Sequence, residues 1–117
     1  MDLNIGYERA IDFGHCETMD MARTKLSTLT NLLNKVIIVR QRTKKDILEA
    51  CSKYPGENTH KLSWDNKLVR LAELSNSSEL TNLWQEADMA YRQIKNKQSQ
   101  VIEDLLSLKK MIDMTPR

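Results

Sequence analysis

Residues 22–54 read ARTKLSTLTNLLNKVIIVRQRTKKDILEACSKY, and this stretch decides the fold. Its apolar side chains recur in alternating steps of three and four residues, and it contains no glycine or proline. Such spacing places them on one stripe of an α-helix, which must then be buried along its length. We call this stripe the first seam, and its positions are 22, 26, 29, 33, 36, 40, 43, 47, 50 and 54.

The same spacing returns in the last third of the chain, after a break at Pro55-Gly56. Between the two lies a shorter amphipathic stretch at about residues 60–74, and a polar patch at residues 75–78 separates it from the last third. Asn76 of the patch and Glu79 just after it resemble a capping box, which predicts that a new helix begins there. One continuous helix from 60 to 114 is the alternative. The second seam comprises positions 80, 84, 87, 91, 94, 98, 101, 105, 108 and 112.

This pattern predicts an all-α protein, an elongated antiparallel helical hairpin or three-helix bundle with coiled-coil-like heptad seams. We expect long helices near 17–53 and 78–114. An N-terminal arm at residues 1–14 precedes a single helical domain at 15–117. The run Val36-Ile37-Ile38-Val39 favours a strand locally, but the helical spacing on both sides favours a helix.

Polar residues interrupt both seams, Arg40 and Thr43 in the first and Gln98 in the second. If the long helices pair antiparallel about the break between them, Arg40 lies near Ile94 and Gln98 lies near Val36. One interpretation is a buried polar layer that fixes the register of the pair. The other is that Arg40 extends its charged head to solvent and Gln98 lies at a loosely packed edge.

The charge is unevenly distributed, although the net charge is only +2. Residues 21–45 carry seven basic side chains and no acidic one. Clustered basic side chains are what phosphate binding requires, so the segment 40–45 predicts nucleic-acid binding as an alternative function. The competing interpretation is a solvated helix face that pairs with acids such as Glu86, Asp88 or those of the N-terminal arm. The candidate contacts to phosphate or to an acidic partner are Arg40, Arg42, Lys44 and Lys45.

The sequence predicts no enzymatic activity, no metal and no cofactor. It has no glycine-rich phosphate loop, no His-Glu-x-x-His and no serine elbow. Cys16 and Cys51 are 35 residues apart, outside the spacing of metal sites, and we interpret them as reduced thiols rather than a disulfide. No run approaches the ~20 apolar residues of a membrane span and no signal peptide is evident, which predicts a cytoplasmic protein without membrane contact.

Both long helices carry more apolar residues than one seam can bury. Exposed apolar patches usually mark binding sites, so the excess predicts a helical protein–protein interaction module that acts through coiled-coil or bundle association. An adaptor, a chaperone or an inhibitor-type regulator fits this description. The partner is another protein or, in a homodimer, a second copy of the chain. The predicted partner-binding residues are Ile37, Ile38, Val39, Ile102, Leu106 and Met111.

Overall fold

The computed structural model describes residues 14–114, and these residues form helices without a strand. The three α-helices are α1 (Met19–Cys51), α2 (Trp64–Ser75) and α3 (Glu79–Met114). Two short 3-10 helices, Pro55–Glu57 and Thr59–Lys61, lie between α1 and α2. The all-α prediction is confirmed. The predicted arm at 1–14 lies outside the described residues, apart from Gly14.

The helix α1 begins and continues for reasons that are visible in the sequence. The Thr18 hydroxyl accepts a hydrogen bond from the backbone N–H of Met21 at 3.1 Å, and Asp20 places a negative charge in the first turn. The β-branched run stays helical because its first member, Val36, is fully buried on the seam. The burial of that seam outweighs the strand preference of four side chains.

The helix boundaries confirm the separation of α2 from α3 but correct the assignment of the caps. Asn76 adopts a left-handed conformation that ends α2, and Ser77 Oγ accepts from the backbone N–H of Glu79 at 3.3 Å. Ser63 caps the start of α2, because its hydroxyl accepts from the N–H of Asn66 at 3.4 Å. Asn58, between the two 3-10 helices, is the other residue with a left-handed conformation, which is more typical of glycine.

The described chain packs as two compact units, and α1 and α3 each contribute residues to both. The central unit is Ile37–Met89, and its core contains Ile47, Cys51, Leu68 and Leu71. The described part of the terminal unit is residues 14–36 and 90–114. Its core residues are Cys16, Ala22, Leu29, Leu32, Val36, Ala90, Ile94 and Val101.

Burial follows both predicted seams. Every position of the first seam is buried or half-buried, and so is every position of the second except Ile112. On α2 the apolar side of the amphipathic stretch, with Trp64, Leu68 and Leu71, also faces the core. Heptad spacing therefore identified the buried side of each helix.

The antiparallel direction is confirmed, but the predicted register is wrong. In the terminal unit Gln98 Nε2 donates to Thr30 Oγ1 at 3.4 Å, six residues before the predicted partner Val36. In the central unit Arg40 Nη2 lies 3.0 Å from Asp88 Oδ1, six residues before the predicted neighbour Ile94. The predicted helix extended to about residue 53 and its seam counted Tyr54 as the last position, but α1 ends at Cys51. Residues after a helix end no longer advance ~1.5 Å each along its axis.

Of the two interpretations of the polar interruptions, the one that joins them in a single buried layer is wrong. Thr43 is buried and its hydroxyl donates to the carbonyl oxygen of Val39 at 2.8 Å, within the same helix. Arg40 and Gln98 each have a partner of their own in different units. The three polar interruptions are satisfied separately, so they do not form one layer that sets the register.

Candidate functional site

An ionic clasp joins the segment before α1 to α3 in the terminal unit. Both oxygens of Asp104 take part: His15 Nδ1 lies 2.9 Å from Oδ1, and the backbone N–H of Cys16 donates to Oδ2 at 3.0 Å. The N–H of Cys16 lowers the pKa of the Asp104 carboxyl; burial opposes this shift, and His15 and Lys97 add to it. The clasp is a structural contact because Cys16 lies in the core beside it.

Replacing Asp104 with asparagine should destabilise the protein at pH 7 by about 1–3 kcal/mol, because two hydrogen bonds to a charged acceptor are weakened. The folded pKa of Asp104 is lowered, so its contribution is present above the unfolded pKa and is lost as the pH falls through the folded pKa. Urea unfolding between pH 2 and 7 measures this. The wild type should lose stability over the acidic part of that range more steeply than the variant.

Asp46→Asn is the matched control, because Asp46 is exposed on α1 of the central unit. It should change the free energy of unfolding by no more than about 0.5 kcal/mol. Equal pH profiles for wild type and Asp104→Asn would contradict the role given to the clasp.

A cluster of cations and tryptophans joins the three helices of the central unit. Trp64 of α2 and Trp84 of α3 meet edge to face, with ring centroids 4.9 Å apart. The guanidinium of Arg40 lies 5.1 Å from the centroid of Trp84 and also contacts Asp88. Lys44 Nζ lies 5.8 Å from the centroid of Trp64. Cation–π contacts of this kind hold the basic face of α1 against its own chain.

Two of the four basic residues that were predicted to contact phosphate belong to this cluster. Arg40 is half-buried beside Trp84, whereas Arg42, Lys44 and Lys45 are exposed, although Lys44 also contacts Trp64. The expected pairing of the basic segment with Asp88 is confirmed for Arg40. The tryptophan contacts were missed because the register error placed Ile94, not Asp88, beside Arg40.

The three apolar residues of α1 that were predicted to contact a partner differ in how much of each side chain is exposed. Ile38 is 56% exposed and points away from the core of the central unit, while Ile37 and Val39 are half-buried. Of the three, only Ile38 offers most of its side chain to a partner. Its neighbours at the helical steps of three and four, Gln41 and Arg42, are polar, so this site is small.

The predicted apolar residues of α3 lie in the terminal unit but do not share one face. Ile102 is 46% and Leu106 is 61% exposed, and at a spacing of four they adjoin on the helix surface. Met111 lies five residues beyond Leu106, turned roughly 140° from it. It lines a separate groove of about 550 Å³ with Leu108 and Ile112, facing the start of α1.

The described residues were also compared with the requirements of a metal site, a disulfide and a membrane-spanning helix. Within residues 14–114 no cluster of His, Cys, Asp and Glu could hold a metal ion. Cys16 and Cys51 are free, buried thiols. None of the helices in that range combines the length and the apolar character needed to cross a bilayer.

Comparison of the chain with protein-family models, with curated proteins and with solved structures finds no match.

Proposed function

We propose that this chain is a non-enzymatic helical protein-binding module that acts through helix association, as an adaptor, chaperone or inhibitor-type regulator does. The observation that carries the proposal is the exposure of large apolar side chains on α3 of the terminal unit. Ile102, Leu106, Met111, Ile112 and Met114 are all exposed. Exposed apolar groups that lie together, as Ile102 and Leu106 do on one face and Met111 and Ile112 do in the separate groove, usually mark a binding surface.

The core of the terminal unit is complete without these residues. Leu29, Val36, Ile94 and Val101 are fully buried there. The exposed set is therefore an excess over what folding of this unit uses. Helix-in-groove binding or completion of a helical bundle would cover such a surface, because an apolar helix face packs best against another helix.

The residue types fit an adaptable contact. Two of the five exposed side chains, Met111 and Met114, are unbranched thioethers that fit irregular partner surfaces. The partner is another protein or a second copy of the chain. The proposal includes a cytoplasmic location, which the free thiols of Cys16 and Cys51 support because reducing compartments keep such thiols free.

Affinity capture with the immobilised chain tests the proposal through the variant Leu106→Asp. We expect wild type to retain one or a few proteins saturably from a cell extract. Leu106→Asp should retain them at least tenfold less, because a carboxylate on an apolar contact must be desolvated. Quantitative mass spectrometry of the eluates is the measurement.

Val69→Asp is the control, because Val69 is 58% exposed on α2 in the central unit. It makes the same chemical change at a surface outside the proposed site and should retain the same proteins as wild type. Retention that is indistinguishable between wild type and Leu106→Asp would reject the proposal. A wild-type column that retains nothing above an empty one would also reject it if the wild-type chain is monomeric in solution.

Nucleic-acid binding through residues 40–45 stays a prediction, and no observation in the structure favours it. Arg40 is half-buried against Trp84 and paired with Asp88, while the exposed cations of the segment are Arg42, Lys44 and Lys45.

A further inference from the structure

A second heptad stripe runs along α3 within the terminal unit, separate from the buried seam. Its residues recur in steps of four and three, and every one of them is exposed. We call it the outer stripe, and it consists of Lys95, Ser99, Ile102, Leu106, Lys109 and Asp113.

The outer stripe faces away from the core of its own unit. Successive residues on an α-helix are turned by about 100°, which places the stripe roughly a third of a turn from the buried line through Ile94 and Val101. Ile102 and Leu106 remain 46% and 61% exposed for this reason. The stripe spans about 27 Å of helix, long enough for a continuous contact with another helix.

The outer stripe can pair with a second copy of itself that runs in the opposite direction, because the residues that then meet are complementary. When two copies of the stripe are laid antiparallel about a two-fold axis between Ile102 and Leu106, each Ile102 meets a Leu106. Each Lys95 then meets an Asp113, and each Lys109 meets the small Ser99. An isologous two-fold interface requires such self-complementarity, with apolar groups at the axis and opposite charges at the ends.

The charges also select the direction of pairing. A parallel arrangement would place Lys95, Lys109 and Asp113 each against its own copy, three contacts between like charges. Like charges across a helix pair are unfavourable, and charge pairing is a common determinant of helix orientation. The outer stripe therefore favours an antiparallel partner of its own sequence.

We infer that the outer stripe binds the outer stripe of a second copy of this chain, antiparallel, and so forms a two-fold dimer. The inference rests on the proposed function and names the partner of the same surface. The contact is one helix pair with four apolar side chains at its centre, and two Glu103 side chains approach each other at its edge. A small interface of this kind should be weak, so the dimer should dissociate on dilution.

Sedimentation equilibrium of the full chain over a wide concentration range tests the dimer and its register through charge reversal. Lys95→Glu alone and Asp113→Lys alone should each weaken the dimer at least tenfold, because each places like charges at both ends. An equimolar mixture of these two variants should associate as wild type does, because every introduced charge then meets an opposite one. The double variant Lys95→Glu with Asp113→Lys should also self-associate. Lys45→Glu, an exposed charge reversal in the central unit, should leave association unchanged.

Three results would overturn the inference: a wild type that stays monomeric, a mixture that does not recover, or a dimer that the single reversals leave intact. A monomeric wild type that still captures another protein through Leu106 would reject the dimer and leave the proposed function standing. A monomeric wild type that captures nothing would reject both.

Discussion

Replacing Ile47 with aspartate should abolish folding. Ile47 is fully buried in the core of the central unit, among Cys51, Leu68 and Leu71. The carboxylate would lose its hydration there without gaining an opposite charge, which costs several kcal/mol, and the isoleucine's own burial is lost as well. The sum is comparable with the roughly 5–15 kcal/mol that stabilises a whole domain.

The matched control is Ile38→Asp, the same change on the same helix at a position 56% exposed. It should keep the helical circular dichroism spectrum at 25 °C and a cooperative transition on heating. Ile47→Asp should show neither the helical spectrum at 25 °C nor a cooperative transition. Equal loss of structure in both variants would mean that Ile38 is part of the core. The prediction that Ile38 is available to a partner would then be withdrawn.

Replacing Leu29 with alanine should destabilise the protein by about 2–5 kcal/mol, because the buried side chain leaves a cavity as well as losing its own transfer free energy. Leu29 is fully buried in the terminal unit, with Leu32, Val36 and Ile94 in the same cluster. Urea unfolding measures the change. The midpoint should fall while the slope stays constant, because the surface exposed on unfolding is almost unchanged.

Leu106→Ala is the control for Leu29→Ala, since it removes the same atoms from a side chain that is 61% exposed. At a protein concentration low enough to keep the chain monomeric, it should change the free energy of unfolding by no more than about 0.5 kcal/mol. A loss at Leu106 as large as that at Leu29 would show that α3 buries its outer stripe within the monomer.

The helices and their buried sides could be predicted because both are periodic properties of the sequence. Leu29, Val36, Ile94 and Val101 occupy seam positions, and all four are fully buried. Even the run Val36–Val39 was assigned correctly, since helical spacing on both sides extends through it. Burial on one stripe is repeated at every turn of a helix, so a single unfavourable local preference does not reverse it.

The ends of the helices were harder to predict, because a cap depends on the conformation of a single residue. Asn76 could equally have begun a helix or ended one, and the structure assigns it to the end of α2 through a positive φ of 52°. Both roles use the same residue type, since asparagine tolerates the left-handed region and also caps N-termini. The choice depends on where the neighbouring helices pack.

The excess of apolar residues on α3 was predicted from the sequence, but its division into two surfaces was not. Ile102 and Leu106 lie on the outer stripe, whereas Met111 lines the groove near the start of α1. Which side of a helix remains exposed depends on how much of it other helices cover. That coverage depends on the length and the pairing of α1, not on the residues of α3 alone.

The sequence by itself determined the all-α class and the two seams, because heptad spacing dictates both, and the antiparallel direction that was predicted is the one that the contacts of the structure show. The tertiary structure alone decided the register. Arg40 pairs with Asp88 and lies over Trp84, and Gln98 pairs with Thr30. A heptad pattern repeats itself along the helix, so it is compatible with several offsets that bury similar surfaces. Only the position at which α1 ends, and the contacts that non-repeating residues such as Arg40 and Trp84 then make, distinguish one offset from the next.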